Sequence, residues 1–209
     1  MRRNLLLCIA TLALCGCATS SPQITHLQLA SGKRQITEHD SPVIALDAVA
    51  MPEYLLRRDL LRRESDFKLH YDNTRRWAEP LDLAIQRVLE QRLESLLNTG
   101  QIYAFPEPPP GSPDWLLRVS VAHFEARGDT VFISAEGRWE KPGKALRQVE
   151  QRVEKILFVD SITLSNDSGE DIAAAMSELL RRFSANLAAI LMPIDRAQAS
   201  PTITGTSEK

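Results

Sequence analysis

Residues 115–140, WLLRVSVAHFEARGDTVFISAEGRWE, form the stretch that decides the fold of this chain. Two long strand-like segments, Trp115–Arg127 and Thr130–Glu140, flank Gly128-Asp129, a dipeptide typical of a tight hairpin turn. The second segment alternates apolar and polar residues, as expected of a strand with one buried face. The predicted buried side chains are Val131, Ile133, Ala135, Gly137 and Trp139. Residues 147–159 add a third strand, with a helix over 147–155 as an alternative, so the pattern predicts an antiparallel meander.

Two long amphipathic helices are predicted beside this meander. The first begins near Pro80, which suits a first helical turn, and stops at Asn98-Thr99-Gly100. Its predicted buried stripe is Leu81, Ala84, Ile85, Val88, Leu89 and Leu96. The second begins at Ser168-Gly169-Glu170-Asp171, which resembles a capping box, and is predicted to end before Pro193. Its predicted stripe is Ile172, Met176, Leu179, Leu180, Phe183, Leu187 and Ile190.

Shorter segments earlier in the chain are predicted to be strands. Residues 25–30 (THLQLA), 67–71 (FKLHY) and 102–105 fit short strands, and the β-branched run 43–51 (VIALDAVAM) fits a buried one. The stretch 54–63 (YLLRRDLLRR) instead has leucines at helical spacing, which predicts a short amphipathic helix. Its arginines form either an ordinary solvated face or a basic patch toward phospholipid headgroups or an acidic partner.

These elements together predict the fold class. Residues 106–113 are rich in proline and predict a stiff surface loop, and the small polar residues 194–209 predict a disordered tail. No repeat of fixed period is present. We therefore expect an α/β single-domain sandwich, with a mixed sheet that includes an antiparallel meander and two to three packed helices.

The N-terminal segment has the pattern of a bacterial lipoprotein signal peptide. A basic start is followed by the apolar run 5–14 and by Leu14-Cys15-Gly16-Cys17. A run this short does not span a bilayer, which needs about 20 apolar residues. We expect a signal peptide over 1–16, lipidation of Cys17 and a short tether over 17–23; an ordinary secretory signal is the alternative. Because residue 18 is Ala rather than Asp, the expected location is the periplasmic face of the outer membrane, through the lipid anchor.

Cysteine and charge counts exclude several classes of site. Cys8 and Cys15 would leave with the signal peptide and Cys17 would carry lipid, so no thiol would remain for a disulfide or a metal. Removal of Arg2 and Arg3 leaves 23 basic residues against 27 acidic ones, a net charge of −4. This balance does not suggest a nucleic-acid partner.

No catalytic or cofactor motif is present. The sequence lacks a GxSxG elbow, a phosphate loop, an HExxH pair and a dinucleotide fingerprint, and its four histidines are not at metal-ligand spacing. We therefore predict no catalytic residue, no metal site and no cofactor. Trp77 and Trp139 are predicted core residues, whereas Trp115, directly after the proline loop, is the best candidate for exposure.

Two further motifs resemble one family. Met51-Pro52-Glu53-Tyr54-Leu55-Leu56-Arg57-Arg58, followed by Arg76-Trp77-Ala78-Glu79-Pro80-Leu81 at the predicted head of a helix, resembles the ABC-type transport auxiliary lipoprotein family. The resemblance covers a domain over residues 24–193. It implies that Tyr54, Arg76, Trp77 and Glu79 are signature residues, which mark either the fold or an interface.

The resemblance also implies a function. Members of this family are similar to outer-membrane lipoproteins that serve envelope phospholipid transport, in which an inner-membrane component bears MCE domains that form a conduit across the periplasm. The implied protein is a non-enzymatic subunit that meets the outer end of this conduit and supports envelope integrity, with an MCE-domain protein as its partner. Because some members form rings, a homo-oligomer is also implied.

Two other functions stay open on the residues alone. An envelope hydrolase acting on lipid or peptidoglycan would need a polar cluster, such as a pocket that holds His123 with an acid and an exposed serine. An assembly lipoprotein of another envelope machine would have the same fold, because the fold does not choose the partner.

Overall fold

The computed structural model describes residues 23–31, 41–142 and 153–198, with the side chains of the last helix described as far as Leu191. Within these ranges eight strands and two α-helices are present. In chain order they are β1 Thr25–Leu27, β2 Ile44–Leu46, β3 Asp59–Ser65, β4 Lys68–Trp77, α1 Leu81–Leu97, β5 Ile102–Ala104, β6 Trp115–Arg127, β7 Thr130–Glu140, β8 Val153–Thr163 and α2 Gly169–Gln198.

Strand β6 organises the sheet because it pairs on both sides. On one side it is antiparallel to β7, which in turn is antiparallel to β8. On the other side, the beginning of β6 pairs in parallel with β2, and β2 with β5. The end of β6 pairs with β3 through Arg62 and Ala126, and β3 leads to β4 and β1. β2 and β3 therefore pair with the same side of β6, one near its start and the other near its end, and the sheet forks there. Residues 50–58 lie in the chain between these two branches.

Both helices pack on one face of the sheet and against each other. The predicted inward residues of β7 are buried, and the indole Nε1–H of Trp139 donates to the carbonyl oxygen of Leu187 at 3.1 Å. The opposite face, called the outer face below, is open along β8, where Leu157 and Val159 are exposed. The predicted α/β single-domain sandwich with a mixed sheet is therefore confirmed.

The meander and the helices follow the sequence pattern closely. The β6–β7 hairpin has the predicted bounds, and Gly128 adopts the positive φ of 58° that a tight turn requires. At the start of α2, the backbone N–H of Asp171 donates to Ser168 Oγ at 3.0 Å, so Ser168 caps the helix where the sequence predicts its start. The Asp171 carboxylate accepts from the Ser168 hydroxyl rather than from its backbone N–H, so the capping box is incomplete. In α1, Leu96 is 38 % exposed, contrary to prediction, because Leu93 lies one turn beyond Leu89 and fills the core position.

The predicted helix over residues 54–63 is wrong. The chain forms a 3-10 turn at Glu53–Leu55 and then strand β3. β3 lies between β4 and β6, and the adjacent residues Leu60 and Leu61 are both buried there. Paired leucines fit such a strand as well as a helix, and pairing with two neighbouring strands decides the outcome.

Strand β4 is longer than the predicted 67–71. It continues to Trp77, although Asp72 forms the local turn that the sequence indicates by accepting hydrogen bonds from the N–H and hydroxyl of Thr74. Asp59 pairs with Arg76 while Leu60 pairs with Asp72, so the turn is a bulge within the strand. The R-W-A-E-P-L motif thus begins on a strand rather than at the head of a helix.

Other boundaries also differ from prediction. α2 does not end before Pro193 but continues to Gln198. An interior proline loses one backbone hydrogen bond and clashes with the preceding turn, and the helix continues here despite that cost. Residues 194–198 of the predicted tail are therefore helical, and 199–209 lie outside the described residues. β8 begins at Val153, which excludes the helical alternative for 153–155, while 147–152 lie outside the described residues.

Trp115 is not exposed. Only 2 % of its surface is accessible, because it begins β6 beside β2 and pairs with Ile44. The predicted burial of Trp77 and Trp139 is confirmed.

Candidate functional site

A cluster of polar side chains surrounds Tyr54 at the fork of the sheet. Tyr54 lies in the 3-10 turn and its hydroxyl donates to the carbonyl oxygen of Ala122 at 3.0 Å. The same hydroxyl lies 3.3 Å from Nδ1 of His123. We call Tyr54, Arg63, His123 and Glu125 the Tyr54 junction.

Glu125 is the buried charge of this junction, with 3 % of its surface exposed. One carboxylate oxygen accepts from Arg63 Nε at 2.7 Å and lies 3.2 Å from His123 Nδ1, and the other accepts from the Phe124 N–H at 2.8 Å. A buried carboxylate persists only with such partners. The hydrogen bond to Glu125 raises the pKa of the Arg63 guanidinium above its ordinary value. Burial, followed by the charge of Glu125, raises the pKa of Tyr54.

Arg76 connects to this junction through Asp59. Arg76 Nε and a terminal nitrogen of Arg57 lie 3.0 and 3.2 Å from the Asp59 carboxylate. The Arg57 guanidinium lies 4.1 Å from the centre of the Tyr71 ring, and the Tyr71 hydroxyl donates to the carbonyl oxygen of Tyr54 at 3.3 Å. Two predicted signature residues, Tyr54 and Arg76, thus belong to one network of contacts.

The other two signature residues have separate roles in packing. Trp77 is buried in the core, and its backbone N–H donates to the carbonyl oxygen of Arg58 at 2.7 Å. Glu79 accepts from Arg87 Nε at 3.1 Å, and Arg87 also donates to the carbonyl oxygen of Leu29. Glu79 therefore orients Arg87, and Arg87 holds the segment that follows β1. Cys17, the predicted lipidation site, lies outside the described residues.

A groove of about 440 Å³ opens on the outer face beside the junction. Its lining residues are His123, Arg127, Thr130, Phe132, Ser134 and Ser161. This group of residues was not predicted from the sequence. A two-residue turn at Gly128-Asp129 places His123 opposite Ser134 and Arg127 opposite Thr130, so the hairpin register is the signal that could have identified it.

The groove contains part of the polar cluster that an envelope hydrolase would need. It holds His123 with an acid, Glu125, and with two serines in its lining. In the described part of the chain, however, no hydrogen bond joins His123 to Ser134 or Ser161, and Glu125 already pairs with Arg63. Nucleophilic catalysis requires a base in hydrogen-bond contact with the nucleophile. The described groove supplies an acid and a histidine but no activated serine.

The described residues contain neither a metal-ligand cluster nor a membrane-spanning helix. No group of three or more His, Cys, Asp and Glu side chains in residues 23–31, 41–142 and 153–198 is arranged to hold a metal ion. Neither α1 nor the described part of α2 has the length and apolar character needed to cross a membrane.

Comparisons with known proteins give consistent results. A family model described as the ABC-type transport auxiliary lipoprotein component matches residues 26–188. The chain is 29 % identical over 147 residues to the intermembrane transport lipoprotein PqiC of Escherichia coli K12, covering 68 % of this chain and 77 % of that protein. The PqiC protein of Shigella flexneri matches to the same extent.

Two solved structures share the fold. A crystal structure of an uncharacterized protein superposes with a TM-score of 0.67 and 24 % identity, covering 81 % of this chain and 99 % of the other. Protein XCC0632 from Xanthomonas campestris superposes with a TM-score of 0.64 and 13 % identity, covering 86 % and 99 %.

Proposed function

Because the chain belongs to the family of ABC-type transport auxiliary lipoprotein components, we propose that it is a non-enzymatic subunit of a phospholipid transport system. In this proposal it is anchored at the periplasmic face of the outer membrane by lipid on Cys17. It docks the periplasmic conduit of an MCE-domain protein there and so supports envelope integrity. The observation that carries the proposal is the family match over residues 26–188, which includes both signature motifs.

The position of β1 supports a role close to a membrane. Eight residue steps separate Cys17 from Thr25, where β1 begins. At about 3.4 Å per residue this segment reaches at most about 27 Å. A lipid on Cys17 would therefore hold the sheet itself, through its edge strand β1, within that distance of the bilayer.

The geometry of the groove supports a non-enzymatic role. Nδ1 of His123 faces both Tyr54 and Glu125, and this arrangement joins the 3-10 turn to β6. The Tyr54 junction therefore has a structural role: it connects the 3-10 turn, β6 and β3 at the fork of the sheet. The same family resemblance supports self-association of the subunit into a homo-oligomer.

Affinity purification of the tagged, lipidated chain from detergent-solubilised envelopes tests this proposal. We expect the MCE-domain protein of an ABC-type system to co-purify, and to be absent when an unrelated outer-membrane lipoprotein carries the tag. Recovery of a different envelope complex would support the assembly-lipoprotein alternative instead. Recovery of no partner from cross-linked envelopes would contradict the docking role.

A further inference from the structure

Phe67 is the most exposed large apolar side chain in the described part of the structure. It lies between β3 and β4 at the tip of their hairpin and is 101 % exposed, compared with 70 % for Leu157. Moving an exposed aromatic ring out of water into an apolar environment lowers the free energy. Aromatic rings also suit the boundary between lipid headgroups and acyl chains.

The sheet directs the start of β1 toward this tip. β1 is parallel to β4, and Thr25 pairs with Arg75. Phe67 is eight residues before Arg75, and Cys17 is eight residues before Thr25. The bulge in β4 shortens the distance between Phe67 and Arg75 along the strand. The segment from Cys17 is therefore long enough for its lipid to reach the level of Phe67.

The β6–β7 turn lies at this same end. Asp66, next to Phe67, pairs with Arg127 at 3.4 Å across the two hairpins. β6 is parallel to β3, so both strands run toward this end. Two adjacent hairpin tips thus make up the end of the sheet toward which the start of β1 is directed.

The charges around Phe67 are balanced. Glu64 pairs with Lys68 at 2.6 Å, and Asp66 pairs with Arg127. At the β3–β4 tip each acidic side chain therefore has a basic partner, whereas Asp129 in the β6–β7 turn accepts a hydrogen bond from the Thr130 hydroxyl. The tip does not present a net negative charge that anionic headgroups would repel.

We propose that Phe67 inserts into the phospholipid bilayer that holds the lipid on Cys17. The inference rests on the proposed function, because it requires the anchor. The molecule would then contact the bilayer at two points, the acyl chains and the hairpin tip. Two points fix its orientation relative to the bilayer, whereas one flexible tether does not. The opposite end, where residues 105–113 precede β6, then points away from the membrane.

A dye placed at residue 67 tests this proposal. The lipidated chain has no thiol of its own, since Cys8 and Cys15 leave with the signal peptide and Cys17 carries lipid. An environment-sensitive dye is coupled to Phe67→Cys, and in a matched control to Phe105→Cys, which replaces another exposed phenylalanine at the opposite end. Both proteins are reconstituted into vesicles of phosphatidylethanolamine and phosphatidylglycerol.

We expect lipid-borne nitroxides to quench the dye at residue 67 at least about twofold more than the dye at residue 105, because interfacial side chains lie about 5–10 Å deep. Flotation of the same vesicles reports the anchor separately. Protein that floats with equal quenching at both positions would overturn the insertion of Phe67 and leave the anchor intact. Protein that does not float would overturn both. Shielding of residue 67 that requires added MCE-domain protein would identify a protein contact and overturn the membrane contact.

Discussion

At the scale of single residues, Glu125 is a buried carboxylate that connects the elements around the fork of the sheet. Its carboxylate joins β6 to β3 through Arg63 and lies beside His123, which in turn contacts Tyr54. A buried charge stripped of its partner is costly, whereas an exposed pair contributes little.

Glu125→Gln should therefore lower the free energy of unfolding by about 3 kcal/mol, because it leaves the Arg63 charge without its counter-ion. The matched control is Glu136→Gln, which removes solvent-accessible pairs with Lys155 and Arg138 and should cost less than about 1 kcal/mol. Urea denaturation of both variants measures the difference. Equal losses would show that the Glu125 pair is not the buried, stabilising contact described above.

Part of this junction could be predicted from the sequence. The apolar residues that β6 buries first occupy odd positions and then even ones: Trp115, Leu117, Val119 and Val121, followed by Phe124 and Ala126. This change of phase marks the observed bulge between Val121 and His123, which turns His123 and Glu125 to the outer face. The burial of Glu125 could not be predicted, because it depends on Arg63 and Tyr54 from elements distant in sequence.

At the scale of elements, Gly137 determines how closely α2 approaches β7. A Cβ atom built on Gly137 would lie 3.6 Å from the ring of Phe183 and closer still to the Leu187 side chain, far inside contact distance. Both neighbours are fully buried, so neither can move without disturbing the core.

Gly137→Ala should destabilise the protein by about 1–3 kcal/mol, the range of an overpacked core. Gly111→Ala is the control, since a Cβ there meets no atom within 4 Å and should change stability by less than about 0.5 kcal/mol. Thermal and urea unfolding measure both variants. If Gly137→Ala were as stable as the wild type, α2 would not pack as tightly as the contacts indicate.

The elements also show where sequence patterns succeed and fail. The β6–β7 hairpin and both long helices are specified by local signals: alternation, a turn dipeptide, a capping box and a helical stripe. Residues 54–63 carry a helical pattern, but β3 forms because β4 and β6 offer it two partners. Such pairing joins residues far apart in sequence and leaves no local signal.

At the scale of the whole molecule, the sheet has two distinct ends. Both hairpin tips lie at one end of the sheet, and β1 begins with its first residue directed toward that end. In the proposed function the lipid on Cys17 supplies the attachment to the membrane. Two or more acyl chains give a stable anchor, whereas a single chain does not.

The most direct test replaces Cys17 in a strain that lacks the chromosomal copy. Cys17→Ala protein, exported with an ordinary secretory signal and confirmed as folded in the periplasm, is compared with the lipidated wild type. Envelope integrity is measured as resistance to detergents and large antibiotics. We predict that the wild type restores resistance and that the unlipidated variant, at equal abundance, does not. Full restoration by Cys17→Ala would contradict a role that depends on docking at the membrane.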